Sequence, residues 1–197
     1  MTINIYKFFK SNISNANRGF TLIEALIVIF ISTLLLLGFL TLYDWHSKTY
    51  NFQQATVRVS ESGRFAMQAM NTYISQSYRV LASMTINGAA YTSSSTTVVL
   101  QIPAIDSNNN VLAGKWDYAA FYGSGSKFFQ DVQVDPSSVR LGEKKILSDS
   151  LASISFTYDN ADFALAESVA VDLLTQVVVR DQTVSSHLTQ NIYLKNY

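Results

Sequence analysis

Residues 18–26 read Arg18-Gly19-Phe20-Thr21-Leu22-Ile23-Glu24-Ala25-Leu26, and they open onto a run, residues 25–43, that holds no charge, no proline and one glycine, Gly38. At about 1.5 Å of rise per residue, a helix of this run covers most of a hydrocarbon core of about 30 Å. The segment is therefore expected to meet a membrane. Lys7, Lys10 and Arg18 all precede it, and the positive-inside rule keeps residues 1–19 in the cytoplasm and sends the C-terminal domain outward. An ordinary secretory signal is cut after its apolar stretch, at small residues. Here Thr41-Leu42-Tyr43-Asp44-Trp45-His46 follow instead, so the apolar helix is expected to stay in the mature chain. The small residue that stands out is Gly19, ahead of the run.

Glu24 stands five residues after Gly19, at the edge of a lipid-spanning run where a lone carboxylate is costly unless paired. It either caps the start of the helix, where a negative charge complements the dipole, or it meets a partner charge. The quoted stretch resembles the prepilin signature of type IV pilins and type II secretion pseudopilins. A short basic leader, a Gly-Phe junction, a glutamate at the fifth mature position and an apolar helix follow in that order and spacing. The resemblance implies that prepilin peptidase, a membrane aspartic protease, cuts between Gly19 and Phe20 and methylates the new Phe20 amine. The chain is then a substrate and not an enzyme. It further implies that Glu24 neutralises the N-terminal amine of a neighbouring subunit. Membrane lipid around the helix is exchanged for other major and minor pilins or pseudopilins at an inner-membrane assembly platform. Opposite charges in a low-dielectric bundle attract strongly when aligned, so Glu24 would set register.

Beyond the membrane run, Phe52, Ala55, Val59, Ala66, Ala69, Met70, Tyr73, Ile74 and Leu81 recur at helical spacing, which predicts an amphipathic continuation to about residue 82. Gly63 interrupts it and allows a bend. From there Ser, Thr, Asn and Gly punctuate short runs rich in Val, Ile, Phe and Tyr, with strands expected at 97–102, 116–121, 127–134, 153–158, 169–180 and 190–194. In the fourth of these, Ile154, Phe156 and Tyr158 share one face. The fold class is α+β: a long N-terminal helix, transmembrane in its first half and amphipathic in its second, packed on a C-terminal antiparallel β-sheet. The resemblance gives the same layout, the pilin fold. The divisions are a cleaved leader 1–19, a membrane and filament-core helix 20–43, its amphipathic continuation 44–82 and an extracytoplasmic β-rich domain 83–197. Ser60-Glu61-Ser62-Gly63-Arg64-Phe65-Ala66-Met67, with Lys48-Thr49-Tyr50 upstream, resembles the corresponding region of PilW-type minor pilins. No proline precedes Pro103, whereas many major pilins carry one in the membrane half of the helix.

The 197 residues carry equal numbers of basic and acidic side chains, 14 each, and removal of the leader with its three cations leaves 11 against 14, a net charge of −3. A general nucleic-acid binder is normally basic. There is no cysteine, hence neither a disulfide framework nor a thiolate metal site. His46 and His187 have no metal-ligand spacing, no nucleophile elbow is present, and Gly123-Ser124-Gly125 lacks the lysine of a phosphate loop. No cofactor, metal or catalytic residue is expected. Asp159, Asn160 and Asp162 offer oxygen ligands without the spacing of a calcium loop. Arg140, Lys144 and Lys145 form the one basic cluster outside the leader, a candidate for DNA phosphate, although three charges around Gly142-Glu143 also describe a solvated turn. Trp116 and Tyr118 read as core. The resemblance, narrowed by the PilW-like stretch, implies a minor type IV pilin of the bacterial inner membrane, single-pass with a periplasmic C-terminal domain, that takes part in pilus assembly for adhesion, twitching motility or DNA uptake. The alternative is a J-type minor pseudopilin of a type II secretion system. Glu24→Ala is expected to leave cleavage at Gly19 largely intact while impairing incorporation into filaments, read from processed and sheared fractions; normal incorporation would remove the assembly role of Glu24.

Overall fold

The structure, a computed structural model, describes residues 21–195. Helix α1, Leu22–Ser75, is one continuous element. Its first part belongs to one compact unit, Met1–Lys48, and the remainder to a second, Thr49–Tyr197. Within the first unit the apolar side chains of α1 stand exposed, from Leu22 through Tyr43. Two threonine hydroxyls in this stretch are satisfied inside the helix. Thr33 Oγ1 donates to Ile29 O at 2.8 Å and Thr41 Oγ1 to Gly38 O at 2.9 Å, as a segment without water around it requires. An 18-residue apolar part of this stretch buries nothing.

In the second unit α1 buries a single stripe: Ala55, Val59, Gly63, Ala66, Met67, Met70 and Ile74. The spacing of three and four residues is that of one helix face. Three antiparallel sheets follow. β1 (Arg79–Val80), β4 (Thr97–Ile105), β5 (Val111–Ser124), β6 (Lys127–Gln133) and β7 (Lys144–Ser148) form a five-stranded sheet in the order β1-β4-β5-β6-β7. β8 (Leu151–Tyr158), β9 (Ser168–Val179) and β10 (Gln182–Tyr193) form a second, in the order β10-β9-β8, and the hairpin β2 (Ser83–Ile86) and β3 (Ala89–Thr92) stands as a third. The core joins α1 residues such as Met70 and Ile74 to Leu100, Ile102, Phe121, Phe128, Val171 and Leu173. Phe121 and Phe128 stack with ring centroids 6.3 Å apart.

Several expectations are met. All six expected strands are present, five of them with boundaries within five residues of those expected, and Ile154 and Phe156 turn into the core while the half-buried Tyr158 donates to Thr97 O at 3.0 Å. Others are corrected. Helix α1 ends at Ser75 and not near residue 82. Ser77 returns both its N–H and its hydroxyl to Ile74 O, at 3.0 and 2.6 Å, and Tyr78 N–H then finds Gln101 O at 2.8 Å. An open edge of β4 supplies backbone partners that a further helical turn would forgo, so Val80 enters the core from a strand. The hairpin β2–β3 turns on Asn87 and Gly88, both with positive φ (49° and 83°), an Asn-Gly turn of the kind whose twist suits a two-residue hairpin. It packs Ile86 against Val99 and Ala120 on the outer side of the large sheet. β7 was also outside the expected strands, and β10 begins eight residues before the strand expected at 190.

Gly63 marks no interruption; α1 runs through it. A Cβ there would stand 3.1 Å from Thr175 Oγ1 and 3.3 Å from Leu188 Cδ1, so the glycine lets the helix lie close on β9 and β10. Thr175 is fully buried, and its hydroxyl lies 3.1 Å from Val59 O and 3.3 Å from Ser186 O, so it has little freedom to yield. Gly63→Leu is therefore expected to destabilise the protein by about 1–3 kcal/mol through overpacking, despite the better helix propensity of leucine, and to lower the Tm of the full-length protein in detergent by several degrees. An unchanged Tm would show that the close approach is dispensable.

Candidate functional site

The described residues begin at Thr21, and Thr21 together with Glu24 closes the start of α1. Glu24 Oε2 accepts the Thr21 backbone N–H at 2.9 Å and the Thr21 hydroxyl at 2.8 Å, while Thr21 Oγ1 accepts the Glu24 N–H at 3.3 Å. This reciprocal pair is a capping box: it satisfies two backbone donors that a helix N-terminus otherwise leaves open. Of the two sequence readings of Glu24, the structure contains the cap. The hydrogen bonds of the carboxylate fall on Oε2, and Oε1 makes none among the described residues. The Thr-x-x-Glu spacing carries this signal in the sequence, so Thr21 is a participant that could have been named beside Glu24. Gly19 and Phe20 lie outside the described residues. At the other end of the apolar run, Tyr43 and Trp45 are exposed on the helix surface, amphipathic rings of the sort that sit at a membrane–water boundary.

The basic cluster does not come together. Arg140 is turned inward, its side chain 11% exposed, onto Asp117, which is fully buried. Asp117 Oδ2 accepts from Arg140 Nε at 3.0 Å and from the Ser138 hydroxyl at 2.7 Å, and Oδ1 accepts the Asp135 N–H at 2.8 Å. The guanidinium also donates to Gln76 Oε1 at 3.0 Å and to Pro103 O at 3.4 Å, and stands 5.6 Å from the centre of the Tyr73 ring. It is neither a phosphate ligand nor a residue of a solvated turn; it ties the end of α1 to β4, β5 and the segment after β6. Lys144 lies over the stacked rings of Tyr122 and Phe129, 5.5 Å from each centre, and the Tyr122 hydroxyl beside it holds its ammonium above the ordinary lysine range. Lys145 faces Glu143 at 3.8 Å.

The remaining candidates are occupied by structural work. His187 Nε2 sits 2.8 Å from Asp172 Oδ1 on the exposed side of the β9–β10 pair. Asp159 accepts from the Glu167 N–H and the Ser168 hydroxyl, Asn160 from the Asp162 N–H, and Asp162 from the Ala164 N–H. These oxygens are turned to their own loop, and no group of three or more His, Asp or Glu side chains is placed to hold a metal among the described residues. Gly125 takes a positive φ of 59° in the β5–β6 turn. Trp116 and Tyr118 are half-buried on the outer face of β5, not core as expected, because the alternation sends Asp117, Ala119 and Phe121 inward. Trp116 packs on Tyr78 at 5.1 Å.

Compared with known proteins, residues 14–40 match the family described as prokaryotic N-terminal methylation motif. No curated protein matches the chain. The motif supports a type IV pilin or pseudopilin precursor, and it implies processing by prepilin peptidase and assembly with other pilins. With the exposed apolar helix it fits a membrane-anchored pilin.

Removing one partner of a buried ion pair strands the other. Asp117→Ala is accordingly expected to cost about 3–5 kcal/mol, whereas Lys144→Gln and Lys145→Gln leave the urea midpoint nearly unchanged. Equal midpoints for all three would show that the Arg140 contacts contribute nothing.

Proposed function

We propose that this chain is a minor type IV pilin, cut between Gly19 and Phe20, methylated at Phe20, and drawn from the inner membrane into a filament with its C-terminal domain on the outer side. The observation that supports this reading best is continuity. The methylation motif over residues 14–40 runs directly into a helix that is apolar on every side and buries none of that surface in its own fold. A helix of this kind must be covered by lipid or by other helices, and filament growth exchanges the first for the second. Glu24 suits the step. Its Oε2 is held by the cap, while Oε1, which makes no bond among the described residues, can accept the amine of an incoming Phe20 at low dielectric.

The absence of proline before Pro103 and the PilW-like stretch from Ser60 to Met67 favour a minor subunit over a major one. The same motif and helix would serve a J-type pseudopilin equally. Deleting the gene and counting sheared pili while assaying secreted proteins in the same cultures separates the two. Loss of pili with normal secretion is expected. Normal pili with proteins held in the periplasm would move the chain to the secretion machinery, and no change in either would remove both readings.

A further inference from the structure

The small sheet ends unevenly. β9 and β10 run together to a two-residue turn at Arg180 and Asp181, both with positive φ (47° and 65°), whereas β8 begins at Leu151, opposite Thr175. On that side the last backbone bond runs from Gln176 N–H to Ser150 O, at 2.7 Å. In an antiparallel pair, the N–H and C=O of alternate residues point to the same side. Gln176 therefore fixes the phase: both backbone groups of Val178 point to the side that β8 has left, and no strand pairs with them there among the described residues. Val178 is 61% exposed.

Beside this edge lies an open groove of about 1060 Å³. Tyr50, Val57 and Phe65 of α1 form one wall, and Val177 and Val179 of β9 the other. Asp149, bound by Arg58 at 2.5 Å, marks the end of the groove where β8 begins. Among the described residues, no strand or bulge blunts the edge. Residues 177–179 are three valines without the proline, lysine or bulge by which proteins usually protect an exposed strand.

We propose that the groove is a strand-addition site, which accepts an extended, apolar segment of about three residues from a different subunit beside residues 177–179 of β9. The ladder states what can cover it. An occupant must offer a donor and an acceptor from one extended residue to Val178, with alternate side chains directed onto α1. A lipid chain has no such groups, and a helix has spent its own. Arg58 and Asp149 neutralise each other and Glu61 lines the groove, which disfavours an acidic segment. A second copy pairing through the same edge, Val178 opposite Val178, would bring its Arg180 opposite Gln176, where Ser150 already sits; that the partner is another filament subunit rests on the pilin reading above. The occupant is thus a strand of another kind of subunit.

The chain contains no cysteine, so Gln54→Cys in the groove and Thr189→Cys on β10 away from it can each carry a benzophenone as the sole labelled thiol of the full-length protein in its own cells. Irradiation is expected to give an adduct at position 54, mapped by mass spectrometry to an extended segment of another filament subunit, and none at 189. Val178→Pro removes the outward N–H and leaves the β9–β10 bonds in place, while Val177→Arg fills the groove. Each is expected to lower the adduct about tenfold in protein that keeps its protease resistance. Undiminished adduct in both variants, or an adduct mapped to lipid, to a helix or to a second copy, would overturn the proposal. So would full filament assembly by both variants where deletion abolishes pili, an outcome that leaves the pilin reading intact. Conversely, an adduct with the stated properties stands even where deletion changes neither pili nor secretion.

Discussion

The contact on which the second unit depends is the face of α1 that runs from Ala55 to Ile74. At Gly63 the helix lies within van der Waals reach of Thr175 and Leu188, and this approach lets Ala66, Met70 and Ile74 share one core with side chains of both larger sheets. Dispersion falls off steeply with separation, so one added carbon at the closest point is felt along the whole stripe. The sheets need that stripe as much as it needs them, because each presents one apolar face that must be covered. The Ser62, Ser148 and Ser150 hydroxyls, 3.0 to 3.4 Å apart, carry a polar seam along the same contact and make it specific in register as well as apolar.

The opposite end of the stripe is fixed by charge. Arg140 reaches the end of α1 through Gln76 and Tyr73, the bend of β4 through Pro103 and the interior of β5 through Asp117. A buried aspartate is tolerable only with its oxygens filled, and Asp117 has three donors. The consequence for function is that the side chain most suggestive of an anion site is withdrawn from the surface. What remains exposed is apolar and backbone-rich: the first half of α1, with no covering in its own fold, and the unpaired end of β9. Both are surfaces that another polypeptide satisfies better than water does. That agrees with a subunit whose activity is to be assembled.

Much of this was legible from local pattern. The charge-free run, the basic residues before it and the Gly-Phe junction followed by Glu24 needed only composition and spacing, and the matched motif spans Arg18, the junction, Glu24 and most of the run. The Thr21–Glu24 cap is local as well, three residues apart, and the alternation of Ile154, Phe156 and Tyr158 announced β8 because a strand's period is set by its own backbone. The Asn87-Gly88 turn was equally written in the chain, although the short strands on either side carry little apolar signal.

Other features depended on partners distant in sequence. Helix α1 stops at Ser75 because β4 offers Gln101 O to Tyr78, and the periodicity that continues to Leu81 contains no sign of that competitor. Gly63 looks like a weak point in a helix until Thr175, more than a hundred residues away, supplies the reason for a missing Cβ. Arg140 reads as a surface cation until Asp117 and Gln76 are brought to it. The sequence by itself determined the apolar helix and the class of the fold, since these follow from hydrogen bonds and periodicities within a few residues. The tertiary structure alone decided where the helix ends, which charge is buried and which strand edge stays open, since each is a competition between local geometry and a partner that only folding delivers.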